Sequence, residues 1–300
     1  MKLPQRLPSP SEMRAFFSRH ALLFGYTGFT LVVILATLLA TFPHEEFARR
    51  AVAEATAGTP TRVDFRTLHF RPPLAWTARD LRIVPDTAAD LALRIESVKA
   101  SPAWTSLLLP GALPGIDLDA ALWEGEASAF AASDGEDFAL EVQAAGLDIA
   151  AATAGQLPGE ARLGGRADLD LEAGGDLRGE TLSGEVHVQA TGIALRDLLV
   201  SGIRVPDLDL RDASLHGSFE DRTIRIAEFL AQGEGLLVRA TGTIERQRVF
   251  DRSRLDLRVE IEITDAAPPA LRGLRLLLPK RKPGETFYHL RGTIRRPQFS

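Results

Sequence analysis

The chain has no cysteine, and among its 35 basic residues only four are lysine. The missing thiol excludes disulfides, cysteine-ligated metal centres and thiol nucleophiles together. No lysine follows a glycine, so a phosphate-binding loop ending in Gly-Lys-Ser/Thr is absent, and no serine stands in a Gly-x-Ser-x-Gly elbow. Glycine and proline number 25 and 18, too few for a low-complexity chain but enough to punctuate many short segments. Hydrophobic residues make up 45% of the 300 positions, which is ample for a folded core.

Long uncharged runs are also scarce, with one exception. From Ala21 to Phe42, "ALLFGYTGFTLVVILATLLATF", no residue is charged. At about 1.5 Å per residue a helix of that length reaches roughly 33 Å, enough for about 30 Å of hydrocarbon. A cleaved signal peptide would have a shorter apolar core, so residues 21–42 are expected to be an uncleaved transmembrane helix, although "ATLLAT" offers a weak cleavage site. Lys2, Arg6, Arg14 and Arg19 precede it against Glu12 alone, while "PHEEF" follows, and the positive-inside bias places the N-terminus in the cytoplasm. The expected organisation is a cytoplasmic tail at 1–20, the span at 21–42, a short linker helix at 43–58 and a β-rich domain at 59–300 on the far side of the membrane. Beyond the tail, 31 basic residues face 39 acidic ones. That balance excludes a nucleic-acid partner, which needs clustered positive charge.

After Gly58 the apolar period becomes two. In "RLDLRVEIEIT", Leu255, Leu257, Val259, Ile261 and Ile263 alternate with charged residues, so one face of a strand is apolar and the other solvated. The same alternation occurs in "ALRIESV", "FALEVQA", "GRADLDLEA", "GEVHVQATG", "RTIRIAEF" and "LLVRATGTI". Gly165, Gly184, Gly192, Gly217, Gly242 and Gly292 read as turns between these strands, and the phrase Gly-Thr-Ile at 242–244 and again at 292–294 as a turn followed by a strand. Helices are expected only at 102–111, 146–159 and 268–280. They are too few to roof so many strands, so the sheet must pack on a second sheet, curl on itself or leave a groove for an apolar ligand. The five apolar residues of 255–263 are the candidate wall of that groove or core.

Residues able to do chemistry are sparse. "HEEFA" at 44–48 lacks the second histidine of a zinc-protease motif, and the six histidines at 20, 44, 69, 187, 216 and 289 form no close pair in sequence. Asp168 with Asp170, and Asp207 with Asp209, have the spacing of a general acid and base, yet period two puts each couple on the polar face of a strand, where solvated carboxylates are the rule. "SDGEDF" at 133–138 has the flavour of a calcium loop without its distal glutamate and fits a hairpin turn better. Lys280, Arg281 and Lys282 could meet lipid phosphates or anionic saccharide headgroups, though a charged loop is the better account of them. No catalytic residue, metal centre or cofactor is expected.

Several stretches together resemble a known family. "FPHEEFARRAVAEATAGTPTRVDF", "RPPLAWTARDLRIV", "LPGEARLGGRADLDLEAGG", "LSGEVHVQATGIAL" and "YHLRGTIRRPQF" are similar, in order and spacing, to AsmA-like envelope proteins and within them to the type II secretion system protein N family. The resemblance implies a single-pass inner-membrane protein of a Gram-negative bacterium. Its periplasmic domain would be an elongated, curved antiparallel β-sheet, groove or sandwich, with a few short helices. It implies a non-catalytic accessory role in type II secretion through partner subunits or lipid or, alternatively, lipid transfer or envelope assembly unrelated to secretion.

Overall fold

The computed structural model describes residues 61–71, 75–85, 93–104, 113–154, 161–177, 181–197, 199–200, 203–204, 206–247, 252–274, 286–294 and 296–299, with Phe29, Thr30, Val33, Thr37, Glu46, Arg49, Arg50 and 52–54. Two compact units comprise Met1–Ala51 and Val52–Ser300. In the first, the described residues are helical, and Thr37 Oγ1 donates to the Val33 carbonyl one turn back at 2.8 Å. Most of the proposed span at 21–42 lies outside the described residues, among which no helix is long and apolar enough to cross a membrane.

The second unit is mainly β. Strands β1 (Thr61–Asp64), β2 (Thr67–Arg71), β3 (Ala75–Pro85), β4 (Leu93–Pro102), β5 (Gly115–Leu122), β6 (Gly125–Ser133) and β7 (Asp137–Asp148) are followed by helix α1 (Ile149–Thr153). Then come β8 (Arg162–Asp176), β9 (Leu182–Arg196), the two-residue strands β10 (Leu199–Val200) and β11 (Ile203–Arg204), β12 (Leu208–Glu220), β13 (Thr223–Gly233), β14 (Leu236–Glu245) and β15 (Arg254–Ile263). Helix α2 (Pro269–Leu274), β16 (Tyr288–Thr293) and β17 (Arg296–Phe299) close the chain. All strands but β10 and β11 join one 15-stranded antiparallel sheet in which sequence neighbours are spatial neighbours, with β1 and β2 both pairing with β3. Among the described residues the only other sheet is the β10–β11 hairpin, which lies in the connection from β9 to β12.

All seven alternating runs lie in strands, because period two matches the pleat. The glycines expected to separate them do not. Gly165 lies within β8, Gly184 and Gly192 within β9, Gly217 within β12, Gly242 within β14 and Gly292 within β16. Glycine inside a strand marks a bulge or a close approach of backbone: the register shifts at Gly165, while Gly217 lies beside the extra residue Ala227 of β13, where a Cβ would come within 2.8 Å of the Arg225 carbonyl. The two Gly-Thr-Ile phrases have a more specific cause. β14 and β16 flank β15 on opposite sides, with Gly242 facing Leu257 and Gly292 facing Leu255. Both glycines have positive φ, 143° and 108°. A Cβ on Gly242 would overlap the Asp256 carbonyl, and one on Gly292 would lie 2.6 Å from the Arg296 carbonyl. The glycine of each phrase therefore shapes the backbone beside one strand from within its own strand, and only the second phrase reaches a turn, at Ile294.

Among the described residues of 146–159 the helix is Ile149–Thr153, with Asp148 Oδ1 accepting the Ala151 N–H at 2.7 Å as its N-cap. The first half of that segment remains in β7, which runs through Gly146 to Asp148. Helix α2 occupies Pro269–Leu274 of 268–280, and of 102–111 only Trp104 is helical among the described residues.

Candidate functional site

The register of the sheet gathers the apolar positions into unbroken rows. One row starts at Phe70 on β2 and passes through Trp76, Ala100, Leu118, Ala129, Val142, Leu171 and Val186 on successive strands to β9. It continues through Gly217, Ile226, Gly242, Leu257 and Leu290 to Phe299 on β17. Directly opposed residues of an antiparallel sheet share a face. The row thus crosses every strand of the large sheet except β1 without one polar side chain. At about 4.8 Å between strands it is roughly 60 Å long.

Among the described residues, this face has little above it. Val142, Leu171 and Val186 are only half-buried in the middle of the sheet, whereas the inner face of a two-layer β-protein excludes water almost fully. The main exceptions are local. Leu236 and Ile263, opposed on β14 and β15, are covered by Ala267 and by Leu271 of α2. Leu257 and Val259 pack with Ala240, and Leu122, Ala144 and Leu147 form a third cluster. The five predicted wall residues therefore divide. Ile263 lies under α2, Leu257 and Val259 are buried against the neighbouring strands, and Leu255 and Ile261 are half-buried on the same face. The residues at the open centre of the row, Val142, Leu171 and Val186, come from runs that the sequence marked as strands but not as a site. Lys280, Arg281 and Lys282 lie outside the described residues.

The opposite face is charged. Lys99 meets Asp119 at 3.2 Å and Arg239 meets Glu260 at 3.4 Å across adjacent strands. Such exposed pairs contribute no more than about 1 kcal/mol each. Concavities of about 700 and 520 Å³ on this face are lined by polar rows, the smaller by Glu141, Glu172 and Glu185, which oppose one another on β7, β8 and β9.

None of the paired carboxylates is arranged as an acid and base. Asp207 and Asp209 both face the Arg196 guanidinium, which also donates to the Leu208 carbonyl at 3.0 Å. The hydrogen bond to Asp209 raises the pKa of Arg196 further above its ordinary range, with Coulombic support from Asp209 and Asp207. Asp168 accepts the Gly146 N–H at 2.7 Å and so fixes the bulge of β7. The loop at 133–137 uses its acid on itself, since Asp134 Oδ1 accepts the N–H groups of Asp137 at 2.8 Å and Glu136 at 2.9 Å. Those amides, Asp137 first, hold the Asp134 pKa below the usual carboxylate value. With a depressed folded-state pKa, the loop is stabilised at pH values above the unfolded-state pKa, and the contribution is lost as pH falls through the folded one. Amide exchange at Glu136 and Asp137 is expected to accelerate on acidification only below the ordinary aspartate range; protection unchanged down to complete protonation would contradict this.

The fold also joins two histidines that stand 29 positions apart in the sequence. His187 on β9 and His216 on β12 are directly opposed, with ring centroids 5.9 Å apart. Only strand register reveals this. Among the described residues no group of three or more His, Asp or Glu side chains is arranged to hold a metal ion. No family model, curated protein or solved structure matches this chain.

Proposed function

We propose that the uncovered apolar face binds lipid acyl chains and that the protein is a non-catalytic lipid-binding component of the bacterial envelope. The observation that carries this is the row from Phe70 to Phe299, apolar at every strand it crosses and only half-buried at its centre. An extended polypeptide laid on such a row would leave its own N–H and C=O groups without partners, at a cost of roughly 1–3 kcal/mol each. A hydrocarbon chain has no such groups.

The proposal agrees with the sequence resemblance to AsmA-like envelope proteins, with an inner-membrane anchor at 21–42 and the sheet in the periplasm. Membership of the type II secretion protein N family is the more specific form, resting on the resemblance alone, and partner secretion subunits belong to that form. The geometry favours a hydrocarbon chain over an extended peptide on this face. Lipid is expected to accompany the full chain through purification in a non-phospholipid detergent, at one or more phospholipids per chain by mass spectrometry. Protein free of lipid under gentle extraction would contradict the proposal.

A further inference from the structure

We propose that His187 and His216 together chelate a divalent late first-row transition metal, such as Zn2+, on the charged face of the sheet. The two residues are opposed on adjacent central strands, so their separation is set by hydrogen-bonded backbone and not by a loop. An ion bonded to an imidazole nitrogen at about 2.0–2.1 Å lies roughly 3.2 Å from the ring centre, so two rings sharing one ion can stand at most about 6.4 Å apart. The observed 5.9 Å lies within that span. Neutral imidazole suits zinc, copper and nickel better than it suits calcium or magnesium, which fixes the class of metal.

The surroundings supply the charge. Asp170 stands opposite His187 on β8, and Glu228 stands opposite His216 on β13, so the cross-strand order is Asp170, His187, His216, Glu228. One carboxylate on each flank balances the two charges of the ion, while water completes the coordination, since among the described residues no third side chain is arranged as a ligand. Glu172 and Glu185 form the adjacent row of the same face, which draws cations towards the site. The Gln189 amide nitrogen is 2.9 Å from His187 Nε2, and the ion takes its place at that nitrogen. His216, Asp170 and Glu228 are exposed, so the ion enters without opening the sheet.

The test is calorimetric titration of Zn2+ into chelator-treated full-length protein in detergent, with the parent, His187→Ala, His216→Ala and His69→Ala compared. One ion per chain is expected, with affinity falling at least tenfold in each of the first two variants and unchanged in His69→Ala. Unchanged circular dichroism of the variants separates loss of a ligand from loss of fold. Cu2+ in place of Zn2+ should give nitrogen hyperfine structure from two imidazoles, reduced to one in each variant. Absence of binding, or binding that neither variant weakens, would overturn the proposal. Because the site is on the charged face, its failure leaves the lipid reading intact, and the reverse also holds.

Discussion

Leu171→Asp is expected to strip at least nine-tenths of the phospholipid from the purified protein while the sheet remains folded. Leu171 lies on β8 near the middle of the apolar row, between Val142 and Val186, and it is only half-buried. A carboxylate there is close enough to water to stay solvated in the free protein, so the fold loses little more than the packing of one partly covered leucine. An acyl chain laid across it would have to strip that water away. The cost of several kcal/mol for desolvating a charge exceeds the roughly 0.8 kcal/mol gained by each buried methylene under it. Val259→Asp makes a poorer test, because Val259 is only 7% exposed and packs with Ala240 and Leu257, so the charge would unfold the strand it was meant to probe. Lipid phosphate per chain, measured beside the melting curve, checks the prediction; lipid retained by a folded Leu171→Asp protein would count against it.

The second large effect falls on the fold. Gly242→Val should destabilise the protein by at least about 3 kcal/mol, since a non-glycine residue in a sparsely populated region of positive φ costs about 1–3 kcal/mol before any clash is counted. Here the φ is 143°, and the new side chain would overlap the Asp256 carbonyl and approach Leu257 Cα at 2.8 Å. Both obstacles are backbone of the next strand, which cannot swing aside as a flexible side chain would. Gly292→Ala should show a similar but smaller loss, because its neighbour is the short terminal strand β17. Urea denaturation would measure both, and a Gly242→Val midpoint equal to that of the parent would show that the strand tolerates the change.

The strands were legible because alternation is a local property. Leu255 to Ile263 announce a two-faced strand in any context, and β4, β7, β8, β9, β13 and β14 announce themselves in the same way. Their boundaries were less so. Glycine was read as a turn, yet in this sheet it serves bulges and close approaches, while the hairpin between β5 and β6 turns on Trp123 and Glu124, both at positive φ and neither a usual turn residue. The active face was half legible. Its apolar residues could be named strand by strand, but their alignment into one row depends on register, which bulges at Ala144/Leu147, Gly164/Arg166 and Ile226/Phe229 adjust. The same holds for His187 and His216, and for the Arg196 guanidinium that claims Asp207 and Asp209.

Most of the fold's polar chemistry is spent on itself. Asp134 closes a hairpin, Asp148 caps a helix, Asp168 pins a bulge and Asp209 binds an arginine. Among the described residues, the apolar face, in contrast, has a partner only where α2 and the local clusters cover it. That asymmetry is why a ligand without hydrogen-bonding needs fits it.

The most direct measurement is the position of contact. Membranes containing the full-length protein and a phospholipid with a diazirine near the end of its acyl chain would be irradiated, digested and mapped by mass spectrometry. Cross-links are expected on peptides bearing Val142, Leu171 and Val186, in addition to any within 21–42. Cross-links confined to 21–42, with the peptides of β7, β8 and β9 detected but unlabelled, would contradict the account.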